Sequence, residues 1–273
     1  MKPTFNNELD YQIFPSTLDS LYQTSQKMEH GGRIFCTAGE ATIVINDTSY
    51  HLNQNASIAI LPYRYMQVTD RSEDFQTIVF ASTIEFSIIA SKNLKNLLPF
   101  YYEHPLSMLT ETRMRYILQL LKGLQNLSGH SYRIEIALNH VRNFLLNICH
   151  IAQQADALAN KPQEKATCKN GDYFNRFNML LAANCMEKRN VDYYAQQLAI
   201  TPELLNKICQ DCTGLSTKRI IDLHLIALLK HELHYSGKPL QEIAHAYHFT
   251  NTAELSRYFK RITGHTPSER PEN

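Results

Sequence analysis

The sequence predicts an α+β chain of two domains, an N-terminal antiparallel β-barrel carrying a helical segment and an all-α C-terminal domain. Three observations carry that expectation. Apolar residues alternate with period two up to about residue 85, the period becomes helical from Ser91, and the C-terminal part contains the same helix pair twice. At 273 residues, 44% hydrophobic and 19% charged, the chain is long and apolar enough to bury a core in each part.

In the first segment Thr42 and Val44 alternate with Ile43 and Ile45, and Asn46-Asp47 supplies a turn before Tyr50 and Leu52. The runs SIAILP and QVTDRSEDFQTIVFAS follow, β-branched and broken by Pro62, Asp70 and Glu73-Asp74. Short strands at this rhythm suggest a small barrel or sandwich. Such a barrel holds one small ligand in its mouth, and Tyr22, Tyr50, Tyr63, Tyr65, Arg33 and Arg64 are candidates to line it or to fill its core and rim. A metal enzyme is not indicated. Three or four N/O ligands must converge on a first-row metal, and this segment has only His30 and His51, with no His-x-His pair.

The helical region carries Met114, Ile117, Leu118, Leu121 and Leu124 on one side of a first helix, from Met108 to Leu127. A second, from Tyr132 to about Ala155, has Ile134, Leu138, Val141, Leu145, Ile148 and Ala152 in steps of four and three. That seam fits packing on the barrel or pairing with a second copy. ALANKPQEKATCKNG, from Ala157 to Gly171, loses periodicity and reads as a linker. Asp172 is expected to cap the next helix, with Phe174, Phe177 and Leu181 inward.

In Pro239 to Pro267, Ile243, Ala244 and Tyr247 form one helical set and Leu255, Tyr258, Phe259 and Ile262 another. A four-residue turn separates them, and Thr250 and Asn251 offer the cap. Ser256, Arg257, Lys260 and Arg261 lie outward, suited to DNA edges and phosphates. This is a helix-turn-helix pattern, and it occurs twice. Ala195, Leu198 and Ile200 precede Ala244, Tyr247 and Phe249 by 49 residues; Leu205, Ile208, Cys209, Thr213 and Gly214 precede Leu255, Tyr258, Phe259, Thr263 and Gly264 by 50. Between the copies, Leu215 to Tyr235 is free of Gly and Pro, a helix of roughly 30 Å, close to the ~34 Å between successive major grooves on one face of DNA.

On these residues, 173 to 270 resemble the DNA-binding domain of AraC/XylS-type transcription regulators, with TPELLNKICQDCTG and TNTAELSRYFKRITGHTP as the recognition helices. The resemblance implies a seven-helix domain with two helix-turn-helix units. AGEATIVINDTSYHLNQNASIAILP resembles the cupin-type sensor domain that many such regulators carry. The implied organisation is a cupin-like sensing barrel at 1–90, a helical dimerisation segment at 91–157, a linker at 158–171 and the double helix-turn-helix domain at 172–273. Some positions depart from the pattern: His248 replaces a common Gly, Ala253 a Ser, Glu254 an aromatic, and Leu204, Asn206, Lys207 and Gln210 a frequent Tyr, Ser, Arg and Lys. The Tyr-Arg pair that commonly ends the domain reads Arg270-Pro271.

Asn206, Lys207 and Gln210, with Thr252, Ser256, Arg257 and Lys260, are the candidate DNA contacts. Glu203 and Glu254 read as first-turn carboxylates favoured by the helix dipole. Residues 172–273 hold twelve Lys plus Arg against eleven Asp plus Glu, so non-specific phosphate attraction should be modest. Cys209 and Cys212 occupy core positions of the repeat, and free cysteine packs as a small hydrophobe. His224, His231, His234, His245 and His248 lack a partner to complete a site and are expected to be solvated or DNA-facing. The six cysteines are too scattered for a disulfide scaffold, nothing at the start resembles a signal peptide, and no run is long enough to span a membrane, so a cytoplasmic protein is expected.

The function these features imply is a sequence-specific DNA-binding transcription regulator without a cofactor or catalysis. Its expected partners are double-stranded DNA, a small-molecule effector in the barrel, a second copy, and RNA polymerase if it activates. The rival readings are a cupin-type enzyme and a protein-interaction module, each with a degenerate helix-turn-helix tail.

Overall fold

The computed structural model describes residues 3–5, 10–45, 47–92, 104–127, 129–159 and 169–267. The chain divides into two compact units, Met1–Ala166 and Thr167–Asn273. The division falls within the expected linker, of which residues 160–168 lie outside the described residues.

The first unit contains β1 (Tyr11–Ser16), β2 (Gln26–Lys27), β3 (Gly31–Ala38), β4 (Glu40–Ile45), β5 (Thr48–Asn53), β6 (Ala56–Ile60), β7 (Tyr65–Arg71), β8 (Gln76–Ser82) and β9 (Leu106–Met108). They form two antiparallel sheets, β1-β8-β3-β6-β9 and β2-β7-β4-β5. The expected barrel is therefore corrected to two sheets, not one closed sheet. Period-two alternation dictates which face of a strand is inward but says nothing of closure. Ile45 pairs with Thr48, as the predicted two-residue turn requires. Ala41, Ile43 and Ile45 point into the core with Ile34, Leu52, Ile58, Met66, Val68 and Val79.

Among the described residues three α-helices belong to this unit: α1 (Ile84–Ala90), α2 (Glu111–Gln125) and α3 (Arg133–Ala159). Thr83 and Thr110 cap the first two, each accepting a backbone N–H three residues on. Along α3, Leu138, Leu145 and Ile148 are buried and Ile134 and Val141 half-buried. Phe144 stands edge-on to Phe35 at 5.6 Å, and the Arg142 guanidinium donates to the Ile89 carbonyl at 3.3 Å. The seam residues from Ile134 to Ile148 are thus buried or half-buried, while the side chain of Ala152 lies outside the described residues. Near the N-terminal end of the helix, Arg133 pairs with Asp10 at 2.7 Å.

The second unit holds α4 (Lys169–Asn184), α5 (Val191–Gln197), α6 (Pro202–Thr213), α7 (Thr217–Tyr235), α8 (Leu240–Ala246) and α9 (Thr252–Thr263). These are six helices among the described residues, against seven implied by the resemblance. Helix α4 begins at Lys169, so Asp172 lies inside its first turn and does not cap it. Phe174, Phe177 and Leu181 are buried as expected, with Phe177 edge-on to Tyr194 at 5.5 Å.

Candidate nucleic-acid interface

Two helix pairs are built to one plan. Helix α5 leads through a turn into α6, and α8 into α9. In each turn a backbone N–H reaches five residues back: Ile200 donates to the Ala195 carbonyl at 3.0 Å and Phe249 to the Ala244 carbonyl at 2.9 Å. The bend needs a left-handed residue, and Ala199 (φ 55°) and His248 (φ 53°) supply it at equivalent places. That conformation costs a residue with a Cβ roughly 1–2 kcal/mol. His248 therefore adopts the backbone that its replacement of glycine implied. Ala199 carries no such signal by itself and is legible only through the repeat.

The second helix of each pair is capped alike. Thr201 Oγ1 accepts the Leu204 N–H at 3.2 Å, and Asn251 Oδ1 accepts the Glu254 N–H at 2.9 Å. The Glu254 carboxylate reaches back to accept the Thr250 N–H at 2.7 Å, one residue before the N-cap, a variant of the capping box. Those bonds from Thr250 hold its carboxyl below the usual carboxylate range. Glu254 is thus engaged at the helix start, in keeping with its reading as a first-turn carboxylate. Both helices close on a left-handed glycine, Gly214 (φ 77°) and Gly264 (φ 87°).

Apolar spacing turns Leu205, Ile208 and Cys209 inward on α6 and Leu255 and Phe259 inward on α9, all buried. Successive helical residues are about 100° apart, so Lys207 and Gln210, and Arg257 and Lys260, fall on the opposite faces and are exposed. Thr252 and Ser256 are half-buried on α9. Asn206 is half-buried too, and its Oδ1 accepts the Thr217 N–H at 3.1 Å, so this oxygen caps the start of α7. Arg261, which the sequence already places on the outward side of α9, is exposed, and so is Arg219 at the start of α7, a cation the sequence reading does not single out.

Between the pairs runs α7, whose 19 residues span roughly 28 Å. It carries two buried acids, Asp222 and Glu232, and sequence reasoning passed over Asp222. Asp222 Oδ1 accepts from Lys218 Nζ at 2.6 Å and from the Tyr258 hydroxyl at 2.7 Å. Burial first, and then this bond, push the Tyr258 hydroxyl above the ordinary tyrosine range. Arg189 stacks over Phe249, 3.7 Å from the ring centroid, and donates to the Tyr247 carbonyl. Desolvation lowers its guanidinium below the usual arginine range.

Among the described residues no group of three or more His, Cys, Asp or Glu side chains is placed to hold a metal ion. Cys209 is buried with its thiol pushed up to about 11 by desolvation, and Cys212 is half-buried. His231 and His234 pack against Tyr235, and His245 and His248 are exposed. His224 departs from the expected solvated state, because burial pulls its imidazole down to about 4.

In the first unit a cavity of about 270 Å³ opens beside the N-terminal strands, lined by Phe5, Phe14, Leu21, Met28, Ile34 and Val79, with Lys27 and Glu29 among its polar groups. Of the proposed pocket residues none lines it. Arg33 is buried, bonded to Ser57 and Ser107 Oγ at 3.1 and 2.9 Å, and Tyr22 stacks under Arg71 at 4.6 Å. His30 also lines the cavity, beside Phe5, while His51 is exposed and paired with Glu40 at 3.3 Å.

The profile of a family described as a helix-turn-helix domain matches residues 194–270. No curated protein matches the chain in sequence. Among solved structures, ToxT from Vibrio cholerae is similar with a TM-score of 0.38 and 12% identity, over 96% of this chain and 97% of that one. Wild-type ToxT with bound unsaturated fatty acid gives 0.40 and 12%, over 98% and 96%. The AraC-like transcriptional activator CuxR gives 0.44 and 12%, over 86% and 78%.

Proposed function

Residues 194–270 match a family described as a helix-turn-helix domain, and from that premise we propose that the chain is an AraC-type regulator that controls transcription by reading two successive major-groove segments on one face of DNA. The observation that carries this reading is the repeat in three dimensions: two helices, capped and terminated alike, with Lys207 and Gln210 exposed on the first and Arg257, Lys260 and Arg261 on the second. Lys207 and Gln210 read through the first unit, and Arg257, Lys260, Ser256 and Thr252 through the second, with cations reaching phosphate or guanine and polar groups base edges. Asn206 holds the junction to α7, and Arg261 adds a phosphate contact.

The cavity in the first unit supports the effector part of the reading. Its lining is mostly apolar, so a small, largely apolar molecule with a few polar atoms is the class it suits. Such a ligand acts only through different affinities for the DNA-competent and incompetent states. Pairing of two copies engages the exposed Tyr116, Tyr132 and Leu146 of the helical segment, since the seam residues from Ile134 to Ile148 are buried or half-buried. Contact with RNA polymerase and a place in the cytoplasm belong to the same proposal; no described helix is long and apolar enough to cross a membrane.

The test is a footprint of the purified chain on the DNA upstream of its own gene, with a salt titration. Protection of two successive major grooves on one face, weakened by Arg257→Ala and by Lys207→Ala, is the expected result. Absence of protection at low salt, with and without a cell extract supplying effectors, would overturn the reading in favour of an interaction module.

A further inference from the structure

The two helix-turn-helix units are attached to the connecting helix in different ways. Where α6 has Ile208, buried among apolar neighbours, the same position of the repeat in α9 is Tyr258. Its hydroxyl donates to Asp222, a residue of α7 only 5% exposed. Lys218, one turn earlier, donates to the same Asp222 oxygen and to the Arg189 carbonyl at 3.3 Å. Arg189 precedes α5, stacks on Phe249 in the second turn and donates to the Tyr247 carbonyl at the end of α8. One polar cluster therefore joins the loop entering the first unit, the connecting helix, and the turn and recognition helix of the second.

Apolar contacts alone are non-directional. Leu255 and Phe259 hold α9 against the core but leave its tilt loosely specified, whereas a hydrogen bond from a hydroxyl to a carboxylate is short and strongly oriented. On DNA that tilt matters, because one inserted base pair turns the second half-site by about 34° and moves it by about 3.4 Å. We propose that Asp222, through Tyr258, is the positioning residue that fixes the second recognition helix relative to the first and so sets the half-site spacing the protein accepts. The proposal rests on the DNA-binding reading above.

The experiment uses the full chain and duplexes that the wild-type protein recovers from a random-sequence pool, remade with one base pair added or removed between the half-sites. Binding is measured by fluorescence anisotropy for wild type, Tyr258→Phe, Asp222→Asn and Asp222→Ala, with thermal unfolding of each. Wild type should bind the shifted duplexes about tenfold more weakly than the original, the scale of one poorly matched contact. Tyr258→Phe and Asp222→Ala should reduce that ratio to about twofold, while Asp222→Asn, whose amide oxygen accepts the same hydroxyl, keeps most of it. A merely structural role weakens binding to every duplex alike and leaves the ratio unchanged. A wild-type ratio in Tyr258→Phe overturns the proposal and spares the DNA-binding reading. Recovery of no duplex overturns both.

Discussion

The salt dependence of DNA binding tests the charge arrangement quantitatively. Four cations, Lys207, Arg257, Lys260 and Arg261, are exposed on the two recognition helices. If each neutralises one phosphate, the slope of log K against log salt is about −3.6, at ~0.9 per contact. Between 50 and 200 mM salt the affinity should then fall about 150-fold. Arg257→Ala removes one such contact, so the slope should shrink by about 0.9 and the fall should drop to about 40-fold. Lys122→Ala, exposed on α2 of the other unit, is the control and should leave the slope at its wild-type value. Fluorescence anisotropy with a labelled duplex at four or more salt concentrations reads both numbers. The same slope in Arg257→Ala and wild type would refute the placement of Arg257 at the backbone, whatever happened to affinity at one salt.

Three further outcomes follow from the same geometry. Nothing lies within 4 Å of a Cβ added at Gly264, so Gly264→Ala should cost about 1–2 kcal/mol from its left-handed backbone alone, seen as a lowered Tm with unchanged far-UV spectrum. For Glu254, whose folded pKa lies below the ordinary 4.5, the carboxylate contributes stability above that value and loses it as pH falls through the folded pKa. The stability gap between wild type and Glu254→Gln should be present at pH 7 and narrow as pH falls below 4.5 through the folded pKa; a gap constant with pH would count against the capping bond. Alkylation mapped by mass spectrometry at pH 8 should label half-buried Cys212 well before Cys36 and Cys209, whose thiols burial pushes up to about 11; simultaneous labelling would contradict the buried placement.

What could be read from the sequence was what repeats or alternates. Caps, terminators and inward residues of the helix pairs were visible because Thr201 and Asn251, Gly214 and Gly264, and Cys209 and Phe259 recur at matched spacing. Strand faces were visible from alternation in Ala41, Ile43 and Ile45. Closure was not, because it depends on which edge strand each sheet acquires, and β9 joins β6 from beyond α1. The heptad seam of α3 gave a correct apolar face with an undetermined partner; Phe35 and α1 provide that partner within the unit. The Asp222 cluster was hidden for another reason. Its members, Arg189, Lys218, Asp222 and Tyr258, are scattered over 70 residues and meet only through packing. The available signal was a charge inside an apolar helix, together with a tyrosine where the first copy has isoleucine.

Ion pairing of this kind also shapes the charge the domain presents. Twelve cations against eleven acids in residues 172–273 suggest a weak field, yet many of these charges neutralise one another within the unit. Lys218 faces Asp222 at 2.6 Å, Lys238 faces Glu232 at 2.7 Å, and Lys188 faces Glu187 at 2.8 Å. Glu254 is bound to a backbone N–H at its own helix start. What projects from α9 opposite its core is then cationic, with Arg257, Lys260 and Arg261 exposed, whereas on α6 the exposed Lys207 and Gln210 stand beside exposed Glu203 and Asp211. A near-neutral domain of this kind has little long-range attraction for phosphate but keeps directional groups at short range. Its binding should depend more on base contacts and on correct half-site spacing than on charge, which makes the orientation of α9 a larger share of its specificity.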